Sequence, residues 1–368
     1  MPRGTRRATL GCLLLLAGVP AAAFDLARLS LPTGFHIAIY ADHVPQARQL
    51  ALGAHGVLFI GSSGAGRVYA AQDRDGDGVA ETVTVVAHDL YLPAGVAFRE
   101  GSLYVAEINR ILRFDNIEAH LAQPPAPVVV IDGLPESSHH GLKFIGFGPD
   151  QALYFAVGVP CNICAYESPF GTLVRVPGGG GGAQIHALGL RNSVGFDWHP
   201  DSGDLWFGDN GRDGLGDDLP ADELNRVTRA GEHFGFPYVH GGDVVDADFG
   251  QGHLPAEFTA PARKLGAHVA PLGLMFYRGR QFPAAYHHAL FVAEHGSWDR
   301  NHKVGYRVMV ATIDGHGAVT RYAPFITGWL ADEESWGQPV AFATLADGSL
   351  LISDDQAGVV YRVSYAAR

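Results

Sequence analysis

Short apolar runs recur along the chain in one arrangement: an apolar strand, a polar turn, then an aromatic or β-branched strand. The second strands read VLFIG at Leu58, SLYVA at Leu103, ALYFA at Leu153, DLWFG at Leu205, ALFVA at Leu290 and SLLIS at Leu350. Upstream partners match as well, among them GVAFREG, VGFDWHPDSG and VAFATLADG, and third strands such as RILRF, TLVRV and VYRVSYA often follow. Most of the spacings fit the roughly 40–50 residues of a propeller blade. The two longest, ahead of Leu290 and ahead of Leu350, predict insertions. Six such units with almost no helical periodicity predict an all-β chain folded as a six-bladed β-propeller. A pair of β-sandwiches fits less well, because the repeat is uniform and no linker divides the chain. GFHIAIYA near the N-terminus and VVYRVSYA at the C-terminus both alternate, so they are expected to share a blade and close the ring. The only helix expected is a short one over IEAHL, Ile117 to Leu121.

The first 23 residues stand apart from this pattern. Arg3, Arg6 and Arg7 precede the apolar run LGCLLLLAGVP and then Ala21, Ala22 and Ala23. A charged segment, a short apolar run and small residues describe a secretory signal, with cleavage expected after Ala23. Cys12 lies at the start of the apolar run rather than after it, which argues against a lipoprotein. Residues 24–368 are then one exported domain, most simply periplasmic. Loss of three arginines and no acids takes the formal charge from −12 to −15, leaving 23 basic residues against 38 acidic ones. An acidic chain with no basic cluster argues against nucleic acid and anionic membrane surfaces. It suits a small-molecule site or docking to a basic electron carrier.

Candidate chemistry gathers in the loops that follow the second strands. Between Gly189 and Gly242 the strand pair FDW and DLWF leads into what reads as one long polar loop, carrying Asp209, Asn210, Arg212, Asp213, Asp217, Asp218, Asp222 and Glu223. Closing a hairpin takes only two to five residues. Loops after equivalent strands emerge on equivalent faces, so this loop, PCNIC, HGSWDR and SDDQAG are expected at one mouth of the channel. Cys161 and Cys164 are the two cysteines beyond the leader, and an oxidising compartment favours a disulfide between them. Ala165 rules out a c-type haem motif. DRDGDGVAET, from Asp73, resembles the start of a calcium loop, but its twelfth position is Thr84 rather than a bidentate Glu. It reads as a blade-hairpin turn.

The segments HHGLKFIGFGPDQALYFAVGVPCNIC, GLRNSVGFDWHPDSGDLWFGDNGRDGLGDDLPADELNRV, FGFPYVHGG and AEHGSWDRNHKVGYRV resemble the soluble quinoprotein glucose and sorbosone dehydrogenases. The resemblance runs from about Phe35 to the C-terminus. It implies a six-bladed propeller that binds pyrroloquinoline quinone (PQQ) with Ca2+ and oxidises sugars or aldehydes. It makes His140 the general base, and His suits proton acceptance near neutral pH. His139, one residue away, is expected to point elsewhere, as side chains alternate along an extended segment. Arg191 and Asn192 are placed beside the quinone, where a guanidinium fork matches carboxylates and carbonyls. The backbone carbonyls of Gly211 and Arg212 are implied as the calcium ligands. Asp222 and Glu223 match an acidic pair that binds a structural calcium or caps the loop. In HGSWDRNHKVG a cation near the reacting carbonyl is implied, with Arg300 favoured over Lys303.

Two positions depart from the family pattern. WGQPVAF carries Gln338 and Ala341 where charged groups are common, and LPAGVAF has Ala94 in place of an amide. Losing a carboxylate-binding arginine costs ~1.5–3 kcal/mol for a charge-assisted bond. The expected activity is oxidation of an aldose, sorbosone-like aldehyde or related sugar, with electrons leaving to an external acceptor, a quinone or cytochrome c. A metal-dependent lactonase and a non-catalytic binding propeller are the alternatives.

Overall fold

The computed structural model describes residues 25–178 and 181–366, so the expected signal segment lies outside the described residues. Six four-stranded antiparallel blades follow one another along the chain. Their second strands are Leu58–Ser62, Ser102–Ala106, Leu153–Val157, Leu205–Asp209, Leu290–Glu294 and Leu350–Asp354, the six repeats legible in the sequence. The innermost strands are Ala47–Leu52, Gly95–Arg99, Ile145–Phe147, Phe196–Trp198, Pro271–Phe276 and Pro339–Thr344, and they line the central channel. The blades are numbered 1 to 6 in that order. Phe35–Ala41 pairs antiparallel with Val359–Tyr365, from Phe35 opposite Tyr365 to Ala41 opposite Val360. Blade 6 is thus built from both ends of the chain, and the ring has no open sheet edge there.

Why the second strands carry apolar residues on both faces, rather than alternating, follows from where their two faces go. Each blade is covered on both sides. In blade 1, Phe59, Val68 and Ala70 pack with Val96, Leu103 and Val105 of blade 2. The neighbouring residues Leu58, Ile60 and Tyr69 face the other way, against Tyr40, Leu351 and Val360 of blade 6. Equivalent clusters fill the junctions between blades 2 and 3, 3 and 4, 4 and 5, and 5 and 6. The core is therefore a ring of six inter-blade seams.

The two long repeat intervals hold insertions, as expected. Residues 228–262 lie between the third and fourth strands of blade 4. They carry a small hairpin of Val239–His240 with Val244–Val245, and Glu232–His233 adds in parallel to blade 3. Residues 327–338, between blades 5 and 6, carry a second small hairpin, Leu330–Ala331 with Glu334–Ser335. Two sequence expectations need correction. The acidic stretch is not one loop: Ala221–Val227, which includes Asp222 and Glu223, is the third strand of blade 4, and the loop proper is 210–220. Its acids misled because strand acids are usually exposed, whereas these two are buried and hydrogen-bonded. The helix at Ile117 is a single 3-10 turn ending at Ala119, ahead of Pro124 and Pro125. Among the described residues no helix is long and apolar enough to cross a membrane. Asp73 to Glu81 is the hairpin turn between the third and fourth strands of blade 1, with Asp73 accepting from the Gly76 and Gly78 amides.

Phe291 is fully buried in the seam between blades 5 and 6, edge-on to Phe325 at 4.9 Å between ring centroids. Phe291→Ala is expected to cost ~3–5 kcal/mol in urea unfolding. Val129→Ala, on an exposed outer strand, should change stability by no more than about 0.5 kcal/mol.

Candidate active site

Loops after the second strands, and loops leading into the inner strands, share one end of the channel. His140 stands in the segment before the inner strand of blade 3. Its Nδ1 lies 3.0 Å from the Val159 carbonyl, and the Val159 amide in turn donates to Arg191 O at 2.9 Å. A carbonyl can only accept, so Nδ1 carries the proton and Nε2 keeps its lone pair. No protein group among the described residues hydrogen-bonds that Nε2. The fit is close: a Cβ on Gly158 would sit 2.6 Å from His140 O and 2.7 Å from its Cβ, which explains the glycine. Burial, then the charges of Arg191 and His139, push the His140 pKa down to about 3. The imidazole is neutral across the physiological range. His139 does not point elsewhere, contrary to the alternation expected. The two rings lie 4.1 Å apart between centroids, because His140 has a left-handed φ of 52° and the segment is not extended.

Arg191 and Asn192 are held by Asp209, the last residue of blade 4's second strand. Its buried carboxylate accepts from Arg191 N at 2.8 Å, Asn192 N at 2.7 Å and Ser193 Oγ at 2.9 Å. Arg191 is only 4% exposed, and its guanidinium is cradled by two loops. It donates to Asn162 O, Asn162 Oδ1, Asn210 O and Asp213 Oδ2, at 2.8 to 3.2 Å. Asn162 belongs to the loop closed by the Cys161–Cys164 disulfide, which is formed as expected. The Asn192 carboxamide makes no hydrogen bond among the described residues and is half-buried at the mouth.

Gly211 and Arg212 follow directly. A Cβ on Gly211 would meet Pro220 at 2.9 Å, and its amide donates to Asp222 Oδ1 at 2.7 Å. The Arg212 guanidinium is turned onto buried Asp246 at 2.5 Å, which also takes His240 Nε2 at 2.9 Å. Neither carbonyl oxygen, of Gly211 or of Arg212, has a hydrogen-bond partner among the described residues. Asp222 and Glu223 are not free to reach a ligand at the mouth. Asp222 bonds the amides of Gly211 and Ala270, and Glu223 bonds Gly241 N and the Asn225 carboxamide, all at 2.7 to 2.8 Å. Both cap loops.

Arg300 and Gln338 lie elsewhere on the rim. Arg300 donates to the carbonyls of Asp217 and His302 and approaches Asp218, bracing the acidic loop. No hydrogen bond or ion pair joins it to His140 or Arg191 among the described residues. Lys303 is occupied by Glu333. The Gln338 amide donates to Asp354, and its carboxamide lies 3.4 Å from His295 Nδ1. His295 Nε2 and Arg48 Nη1 both bond Asp355, at 3.0 and 2.7 Å. Burial pushes Asp355 up, but His295 and Arg48 outweigh it and hold the carboxyl well below the usual range. Arg48, His295 and Asp355 escaped the sequence reading. The available signal was ARQLAL, where Arg48 and Gln49 interrupt an apolar inner strand. Lys143 is a further buried group, donating only to Gly141 O at 3.1 Å, and burial pulls its pKa down to about 8.

A family model described as glucose / sorbosone dehydrogenase matches residues 128–297, a span that contains His140, Arg191, Asn192, Gly211 and Arg212. Over that stretch the chain matches the glucose/sorbosone dehydrogenase family. A second model, described as TrAA12-like, matches residues 253–366. An uncharacterized protein of Borreliella burgdorferi is 32% identical, covering 96% of this chain and 95% of that protein. Among solved structures, the holo PQQ domain of a pyranose dehydrogenase from Coprinopsis cinerea aligns with a TM-score of 0.78 at 19% identity, covering 91% of this chain and 97% of the other. A calcium structure of a family AA12 carbohydrate-active enzyme from Trichoderma reesei gives 0.80 at 18%, covering 92% and 97%. The apo aldose sugar dehydrogenase of Escherichia coli gives 0.66 at 19%, covering 90% and 100%. At these identities the likeness is one of fold.

The acids under the mouth make stability pH-dependent. Burial, with the nearby charge of Asp209, pushes Glu223 up to about 8 from an ordinary 4.5. Between those values the folded state holds a proton that the unfolded chain has lost. Stability therefore falls as pH rises from about 4.5 to 8. In urea unfolding with EDTA at pH 5 and pH 8, Glu223→Gln should show a shallower loss than the parent protein.

Proposed function

We propose that the protein is a periplasmic quinoprotein that oxidises an aldose, a sorbosone-like aldehyde or a related sugar. The observation that carries this reading is the grouping at one mouth of a neutral His140 with an unengaged Nε2, the unengaged Asn192 carboxamide and the two unpartnered carbonyls of Gly211 and Arg212. Those carbonyls fit Ca2+, which takes oxygen ligands including backbone carbonyls. Arg191, Asn192 and Gln338 would hold the carboxylates and carbonyls of PQQ, with Arg48 offering the guanidinium that position 338 lacks. When bound, PQQ with Ca2+ supplies the acceptor for a hydride, and so for both electrons, from the substrate carbon.

His140 does the acid–base work. Its Nε2 receives the substrate hydroxyl proton while Nδ1–H stays on Val159 O, which fixes both tautomer and ring orientation. A base that is neutral at any working pH needs no prior deprotonation. Arg191 lies too deep to move and would supply fixed positive charge to an anionic cofactor. Trp298, 80% exposed on the loop after blade 5's second strand, offers an aromatic face to an incoming sugar. Arg300 secures the acidic loop and so shapes the rim. An external quinone or cytochrome c would take the electrons. Export by the N-terminal signal agrees with the disulfide at Cys161 and Cys164.

The test is reconstitution of purified protein with PQQ and Ca2+, following quinone absorbance and dye reduction over a panel of sugars and aldehydes. Oxidation is expected for the parent protein. In His140→Ala it should fall by ~10²–10⁴-fold while quinone binding persists. Lactone hydrolysis without quinone would favour a lactonase instead, and absence of quinone binding would favour a non-catalytic propeller.

A further inference from the structure

Beside the Arg191 cradle, on the outer side of the acidic loop, three side chains from three separate segments converge. They are Asp213 of the loop itself, His268 of the segment entering blade 5, and Asp299 of the loop after blade 5's second strand. One donor atom from each lies within 4.8 Å of the other two. His268 is 8% exposed, and its Nε2 lies 2.9 Å from the carbonyl of Gly216. That carbonyl can only accept, so Nε2 carries the proton and Nδ1 presents a lone pair. Nδ1 has no hydrogen-bond partner among the described residues and faces Asp213 Oδ1 at 3.9 Å. A buried imidazole oriented by a backbone carbonyl through one nitrogen, with the other aimed at carboxylates, is how metal-bound histidines are held.

The acids are disposed to match. Asp213 spends Oδ2 on Arg191, leaving Oδ1 toward His268. Asp299 accepts from the Gly214 amide at 3.0 Å and pairs with no cation among the described residues. From these contacts we infer a divalent transition-metal site, of the zinc class, formed by His268 Nδ1, Asp213 and Asp299. An imidazole donor excludes a calcium site of the all-oxygen kind and suits zinc, which takes one nitrogen and two carboxylate oxygens with a water in the fourth position. Donors around tetrahedral zinc stand roughly 3.3 Å apart, from bond lengths of about 2.0–2.1 Å, so small side-chain rotations from the present separations complete the set. This centre is separate from the carbonyls of Gly211 and Arg212 and stands whether or not a quinone binds. Its physical consequence is a clamp that ties the acidic loop to both blade 5 loops.

The experiment uses the full mature chain, stripped with EDTA and free of quinone and calcium. Zinc binding is read by calorimetry, and cobalt(II) binding by its visible absorption. One equivalent is expected to bind, with affinity falling at least tenfold in both His268→Asn and Asp299→Asn and with millimolar Ca2+ failing to compete. Asn at 268 can still donate to Gly216 O, and thermal unfolding of each metal-free variant confirms that it is folded. Absence of stoichiometric binding would overturn the site, as would binding unchanged in either variant, which would place the ion on the exposed histidines.

Discussion

Three buried carboxylates, each at the end of a blade's second strand, hold the loops of the mouth in place. Asp209 in blade 4 takes the amides of Arg191 and Asn192, and Asp354 in blade 6 takes the amides of Gln338 and Ala357. Glu107, just past the second strand of blade 2, takes the amide of Tyr91. In each case the donors include an amide of the segment that enters an inner strand. Burying a carboxylate costs several kcal/mol unless hydrogen bonds repay it, and backbone N–H donors do so with fixed direction. The loops are thereby fixed to the most deeply buried part of the ring, its second strands.

Rigidity at the mouth has electrostatic consequences. Asp209 is pushed up to about 6 and Asp222 up to about 7, both by burial and against their amide donors, with Glu223 higher still. Arg191 lies above this acidic floor, so the region is close to balanced rather than strongly negative. His140, on the other side of Arg191, is kept neutral by burial and by that same guanidinium. One buried cation thus serves two ends: it offsets acids beneath it and prevents protonation of the base beside it.

The ring itself depends on its closure. Phe35–Ala41 must find Val359–Tyr365 before blade 6 exists, and the seams on both sides of blade 6 draw on that pairing. Across the channel, Gln49 ties three inner strands together, donating to Ile145 O and accepting from the amides of Val96 and Ile145. Disturbing one blade therefore reaches the mouth through its neighbours. Distance along the chain is a poor guide to coupling here.

Much of this was written in the chain. Six largely apolar second strands, their turns and the alternating terminal strands determined a closed six-bladed ring, because a blade covered on both faces presents apolar residues on both. The motifs around His140, Arg191 and Gly211 likewise named most of the mouth. The tertiary structure decided which polar groups are spent and which remain available. Nothing in ADELNRV says that Asp222 and Glu223 are strand residues buried under loop amides, since burial comes from segments up to 48 residues away. Nor does sequence place Arg48 and Asp355 together across 307 residues, or turn His268 toward Asp213. Local pattern determines strands because their periodicity is local; hydrogen-bond partners at a propeller mouth come from different blades, and only closure of the ring brings them together.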